Sequence, residues 1–139
     1  MADHIVQHAP RPDLILCSTA TRARQTLAPL VRRLVAPAPP IALEKALYLA
    51  AEHELMARLR LVPDVAATVL LVGHNDGIWQ LAEALADRGQ ADLLAALGEK
   101  FPTGALATLA ATAKHWQDLA AGSAELLAFT RPRDLAARR

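Results

Sequence analysis

Two polar turns in this sequence carry side chains that could bind a phosphoryl group. The turn over residues 18–26 brings hydroxyls and arginines directly after the apolar run 14–17, and the turn Gly73-His74-Asn75 follows the apolar run 68–72. A guanidinium can bind two phosphoryl oxygens, an imidazole can hold a third, and the N-terminus of a helix attracts anions. The candidate groups for this chemistry are the hydroxyls and an arginine of the first turn and the imidazole of His74 in the second.

Other phosphate chemistries are disfavoured by their spacing. The sequence has neither a G-x-x-x-x-G-K-[ST] nor a G-x-G-x-x-G motif, so nucleotide binding loses its main support. Cys17 and Arg22 are similar to the thiol phosphatase loop, but four residues separate them where that loop has five. The thiolate and the guanidinium would then not share one phosphate cradle, and a thiol phosphatase is disfavoured.

The elements that must position these turns follow from hydrophobic periodicity. Short apolar runs predict buried strands of a parallel sheet, and apolar residues at three- and four-residue steps predict helices. Strands are predicted at 14–17, 41–47, 68–72, 105–111 and 124–129, and helices at 3–9, 21–35, 52–60, 78–87 and 91–97. The last two strands are consecutive and predict a hairpin, and residues 131–139 are predicted to be a surface tail. Both polar turns then follow the carboxyl ends of strands, where α/β sheets bind ligands.

Composition limits the classes of function. The chain has 139 residues, 53% of them hydrophobic and 21% charged, which is the profile of one globular domain. Its net charge is +1, so it has no electrostatic field that favours nucleic acid. No apolar stretch approaches the roughly 20 residues of a membrane span, and no secretory signal is visible. Cys17 is the single cysteine and cannot form an internal disulfide. These features predict a cytoplasmic protein that does not bind membranes, and the spacing of its histidines predicts no metal site.

Three motifs occur in the order of a known family. They are Leu14-Ile15-Leu16-Cys17-Ser18 with Thr21-Arg22-Ala23-Arg24-Gln25-Thr26, then Leu70-Leu71-Val72-Gly73-His74-Asn75, then Lys100-Phe101-Pro102-Thr103-Gly104-Ala105. The sequence from about residue 1 to 135 resembles the SixA-type phosphohistidine phosphatases of the histidine phosphatase (phosphoglycerate mutase-like) superfamily. The resemblance implies one domain over residues 1–139 with an α/β, three-layer αβα sandwich fold. Its sheet is expected to be mostly parallel, with an antiparallel C-terminal hairpin.

The resemblance also implies a catalytic site. In the family, a histidine in an Arg-His pair that ends the first strand attacks phosphorus and becomes phosphohistidine. Arg22 matches the arginine that binds the phosphoryl oxygens, and His74 matches the second histidine, which stabilises charge in the transition state. Ser18 and Asn75 are expected to line the pocket, and Thr103 and Gly104 its far wall. The resemblance implies no cofactor and no metal, and its substrates would be phosphohistidine on a protein or a small phosphomonoester.

The nucleophile has no counterpart in this sequence, because no Arg-His pair occurs in it. His8 comes only a few residues before the strand at 14–17, where the family has the end of its first helix, so His8 is not the expected nucleophile. A strand and most of a crossover helix, roughly 30 residues or more, are expected upstream of Met1. Met1 would then be either an internal residue or the start of a shortened gene.

Two functions are compatible with the absence of an Arg-His pair from this sequence. In the first, the full-length form is a phosphatase and the 139 residues alone turn over very weakly or not at all. In the second, the chain is a non-catalytic remnant that binds phosphate or a partner. Without the first strand, unpaired backbone on neighbouring strands predicts self-association through exposed sheet edges. Glu52 and Glu54 lie in a plausible region for a general acid, and neither matches a family residue.

Overall fold

Helices and strands alternate along most of the chain in the computed structural model, which describes residues 1–34 and 36–137. The strands are β1 (Leu14–Ser18), β2 (Ile41–Glu44), β3 (Val69–Val72), β4 (Ala86–Gly89), β5 (Leu106–Ala111) and β6 (Ala124–Thr130). The helices are α1 (Ala2–His8), α2 (Thr21–Arg33), α3 (Glu52–Arg60), α4 (Gly77–Leu85), α5 (Ala91–Glu99) and α6 (Pro132–Ala137). This order confirms the predicted α/β class.

The chain divides into two compact units. One unit comprises residues 1–50 and 63–74, and the other comprises residues 51–62 and the chain from Asn75 onward. Each unit has a three-stranded sheet of its own, with the order β2-β1-β3 in the first and β4-β6-β5 in the second. The single domain expected over residues 1–139 stays a prediction.

In the first unit, β1 is the central strand and pairs in parallel with both β2 and β3. Ile15, Leu16, Cys17 and Ser18 are fully buried, as predicted for a continuous apolar run in a parallel sheet. Ile15 and Cys17 pack against the apolar face of α2, which consists of Ala23, Leu27 and Leu30. The predicted strands at 14–17 and 68–72 are therefore confirmed to within one residue at each end.

Asp13 sets the point at which β1 and β3 begin. Its carboxylate oxygen Oδ2 accepts hydrogen bonds from the backbone N–H groups of Ala67 and Thr68, at 2.9 and 3.0 Å. The backbone N–H of Asp13 in turn donates to the carbonyl of Thr68 at 2.8 Å. The two strands therefore start level and stay in register, with Leu14 opposite Val69 and the following residues paired in step.

In the second unit, β6 is central, pairing antiparallel with β5 and parallel with β4. The β5–β6 pair confirms the predicted hairpin, although it belongs to a separate sheet with β4 and not to the sheet of β1. The core of this unit combines residues of α4, α5 and β6 with a loop phenylalanine, namely Ala82, Leu97, Phe101, Leu126 and Phe129.

Several predicted boundaries differ from the structure. The helix predicted at 78–87 ends at Leu85, because the next four residues pair with β6 as β4. Any Cβ at Gly89 would lie 2.8 Å from the Leu126 carbonyl oxygen, so this close pairing requires glycine.

The strand predicted at 41–47 becomes a 3₁₀ turn at Lys45–Leu47. The predicted surface tail from Arg131 contains α6, and its last residues, Arg138 and Arg139, lie outside the described residues. The helix predicted over 21–35 ends at Arg33, and Val35 also lies outside that range.

Within residues 1–34 and 36–137, none of the helices combines the length and the apolar character that crossing a bilayer requires.

Candidate active site

The parallel pairing of β1 with β3 brings Ser18 and His74 together. Cys17 is opposite Val72, so the residues that follow the two strands leave the sheet at the same edge. The Ser18 Oγ lies 2.9 Å from Nε2 of His74, and it also accepts a hydrogen bond from the backbone N–H of Ala20 at 3.2 Å. Ser18 is fully buried and His74 is half-buried. Two of the predicted site residues are therefore in direct contact.

Tyr48 packs on the His74 ring and was not among the predicted site residues. The ring centroids are 5.2 Å apart and the planes are nearly perpendicular, at 81°. Tyr48 remains 56% exposed, so much of its side chain is open to solvent. The following residue, Leu49, has a φ of 51° and is exposed as well. The one sequence signal for this residue is that it is the single tyrosine of the chain.

Arg22 lies in the first turn of α2, two residues after the Ala20 cap, and is exposed. The first turn contains no acidic residue, and its backbone N–H groups lack intrahelical acceptors, as at any helix N-terminus. Within the described ranges, the Arg22 guanidinium forms no hydrogen bond or ion pair, and only its backbone carbonyl is engaged, by the hydroxyl of Thr26 at 3.0 Å. The guanidinium is therefore available to bind an anion beside a helix N-terminus.

The remaining predicted site residues belong to the second unit. The Asn75 side-chain amide donates a hydrogen bond to the carbonyl of Phe101 at 2.7 Å, which holds Asn75 against the loop that contains Thr103 and Gly104. That loop closes with a hydrogen bond from the Ala105 N–H to the Pro102 carbonyl at 3.0 Å. Gly104 has a φ of 81°, a conformation that other residues rarely adopt. Asn75, Thr103 and Gly104 are all exposed.

The side chains of Cys17 and Glu54 each form a hydrogen bond with the nearby backbone. Burial raises the pKa of the Cys17 thiol, an effect that the charge of Arg24 opposes in part. The Sγ also donates to the Ser18 carbonyl at 3.3 Å, so the thiol is a buried neutral group and not an activated nucleophile. The Glu54 carboxylate accepts a hydrogen bond from the Ala51 N–H at 3.0 Å and so caps the start of α3. No group of three or more His, Cys, Asp or Glu in the described part of the chain could hold a metal ion.

Comparison with known proteins finds mycobacterial relatives over most of the chain. No protein family model matches the sequence. An uncharacterized protein of Mycobacterium tuberculosis is 41% identical over 126 residues, which cover 89% of this chain and 76% of the relative. An uncharacterized protein of Mycobacterium leprae is 35% identical over 127 residues, covering 91% of this chain and 75% of the relative.

Two solved structures share the fold and carry a functional name. The structure of a proposed phosphohistidine phosphatase SixA from Nakamurella multipartitia has a TM-score of 0.80 and 30% identity, with 94% of this chain and 77% of that chain covered. The corresponding protein from Agrobacterium tumefaciens has a TM-score of 0.68 and 32% identity, with 94% and 75% covered. These similarities agree with the ordered motifs around Arg22, His74 and Thr103. The chain belongs to the SixA-type phosphohistidine phosphatase family, with the phosphoglycerate mutase-like α/β fold.

Proposed function

We propose that this chain carries the phosphoryl-binding part of a phosphohistidine phosphatase site. Arg22 and His74 are its catalytic residues, and Ser18 contributes to substrate binding. The substrate-binding roles expected of Asn75, Thr103 and Gly104, which belong to the second unit, stay predictions. The observation that carries the proposal is the contact of His74 with Ser18 at the carboxyl edge of β1 and β3, with Arg22 on the helix that follows β1. The names of the two SixA structures support the same reaction class.

In this proposal, Arg22 binds two oxygens of the phosphoryl group through its planar guanidinium. The first turn of α2 adds a favourable dipole, and no acidic side chain in that turn competes for the guanidinium. His74 donates a hydrogen bond to a third oxygen, where negative charge accumulates as phosphorus is transferred. Fixed donors of this kind stabilise the transition state more than the ground state. The substrate is phosphohistidine on a protein or a small phosphomonoester.

Covalent catalysis also needs a nucleophile, and the 139 residues contain no Arg-His pair to supply it. Without that histidine, the groups described here bind and stabilise but do not form the phosphoenzyme. We therefore expect very weak turnover or none from these residues alone, and phosphatase activity from a form that includes an Arg-His strand. No cofactor or metal is part of this proposal.

The second candidate is a non-catalytic module that binds phosphate or a phosphorylated partner. The same missing Arg-His pair favours it, because Arg22 and His74 form an anion site without chemistry. The intact mass of the protein from its native source separates the two candidates. A mass several kDa above 14.9 kDa, with an N-terminal peptide that contains Arg-His, would support the phosphatase, and a mass of 14.9 kDa would support the module.

Titration calorimetry with inorganic phosphate tests the site itself. We expect Arg22→Ala to weaken phosphate binding by about ten- to a hundredfold, as for lost charge-assisted hydrogen bonds. The matched control is Arg24→Ala, which removes an exposed arginine two residues further along the same helix and should change affinity by less than about twofold. Equal losses in the two variants, or no binding by the unaltered chain, would contradict the proposed phosphoryl site.

A further inference from the structure

The hydroxyl of Ser18 is a buried group whose hydrogen-bonding capacity can be fully accounted for. A serine hydroxyl has one donated hydrogen and two acceptor lone pairs. One lone pair accepts the Ala20 N–H, and the other neighbour is Nε2 of His74 at 2.9 Å. Ser18 has no solvent exposure, so its hydrogen cannot be donated to bulk water. Within the described residues, Nε2 is the acceptor that this hydrogen can reach.

A neutral imidazole has one protonated and one unprotonated nitrogen. If Nε2 carried the hydrogen, it would donate to Ser18 Oγ, and the serine's own hydrogen would be buried without an acceptor. An unsatisfied buried donor costs about 1–3 kcal/mol. Donation by Ser18 to an unprotonated Nε2 avoids that cost. The contact therefore selects the tautomer in which Nδ1 carries the hydrogen.

Tyr48 also restricts the orientation of the His74 ring. Its edge-to-face contact at 5.2 Å restricts rotation of the His74 imidazole, while Ser18 holds the Nε2 end. Nδ1 has no hydrogen-bond partner in residues 1–34 or 36–137, and His74 is only half-buried. The Nδ1–H group is thus the remaining donor of a ring that the protein holds on two sides.

We propose that Ser18 is a positioning residue that holds neutral His74 as its Nδ1–H tautomer and so presents Nδ1–H as the hydrogen-bond donor to the phosphoryl oxygen. This inference rests on the proposed function and specifies how Ser18 contributes to it: the serine acts through His74. Second-neighbour groups that select the tautomer of a functional histidine are a general device in proteins. The ligand is a phosphoryl group, represented by inorganic phosphate in the test.

Long-range ¹H–¹⁵N correlation spectra of the 139-residue chain, recorded at a pH where its five histidines are neutral, test the tautomer directly. His74→Gln identifies the His74 signals by their loss. Without phosphate, we expect a protonated Nδ1 and an unprotonated Nε2 for His74. Ser18→Ala should shift His74 toward the Nε2–H form and leave the other four histidines unchanged. The control is Ser123→Ala, whose hydroxyl bonds locally to Ala120 and which should leave His74 unchanged.

A protonated Nε2 in the unaltered chain would overturn the inference, and this readout needs no variant to fold. An unchanged His74 spectrum in Ser18→Ala would overturn it as well. On addition of phosphate, the Nδ1–H resonance should shift, and Ser18→Ala should bind phosphate about two- to tenfold more weakly. Phosphate that binds without moving Nδ1–H overturns the inference, whereas phosphate that does not bind at all contradicts the proposed function instead.

Discussion

Cys17 of β1 is paired with Val72 of β3, and this register decides which side chains meet at the end of the sheet. The next residue after Cys17 is Ser18, and His74 follows Val72 by two. A shift of one residue would carry Ser18 to the opposite face, because side chains alternate along a strand. The 2.9 Å contact between Ser18 and His74 is therefore a consequence of strand pairing.

Asp13 is expected to maintain this register. Asp13→Ala removes the acceptor of the Ala67 and Thr68 N–H groups and should lower the free energy of unfolding by about 1–2 kcal/mol. Asp13→Asn retains a side-chain oxygen as acceptor and should cost about half as much. Urea denaturation of the three proteins measures these differences. Equal stability of Asp13→Ala and the unaltered chain would show that the two hydrogen bonds do not hold the strands level.

Arg22 is expected to act through its geometry as well as its charge. Arg22→Lys keeps the positive charge but loses the fork of N–H donors that matches two phosphoryl oxygens. We expect phosphate affinity between that of the unaltered chain and that of Arg22→Ala, with a loss of about three- to tenfold. Calorimetry at matched ionic strength measures it. If lysine restored full affinity, the bidentate role of Arg22 would be wrong.

Leu126 and Leu127 provide a paired test of the β6 core. Leu126 is 1% exposed in the second unit's core, and its neighbour Leu127 is 49% exposed. Leu126→Ala should destabilise the fold by about 2–5 kcal/mol, because it removes buried methyl groups and leaves a cavity. Leu127→Ala should change stability by less than about 0.5 kcal/mol. Thermal and urea unfolding measure both changes in stability. Similar losses in the two variants would contradict the burial of Leu126 and the exposure of Leu127 on β6.

Cys17 is expected to resist alkylation in the folded state and to make stability depend on alkaline pH. Burial raises the pKa of its thiol, so the unfolded chain releases this proton first as the pH rises above about 8.5. The contribution of Cys17 to stability is thus complete below that pH and decreases above it. Mass spectrometry after iodoacetamide treatment should show slow labelling that becomes fast in urea. Rapid labelling without denaturant would mean that the thiol is accessible.

Local pattern determined most of the elements on its own. The apolar run 14–17 lies in β1, which is fully buried over its last four residues, and helix Glu52–Arg60 matches its prediction at both ends. These predictions succeed because burial imposes a period on the sequence. The order of motifs containing Arg22, His74 and Thr103 was also sufficient to predict the family.

Tertiary contacts decided what local pattern could not. Ala86–Gly89 is a polar stretch that continues a helical pattern, and it becomes a strand only because β6 pairs with it. Tyr48 lies 26 residues from His74 in sequence, so no local spacing predicts that the two rings touch. The sequence determined which residue types were present for phosphoryl chemistry. The pairing of β1 with β3 decided that Ser18 contacts His74, because strand register is a long-range property of the folded chain.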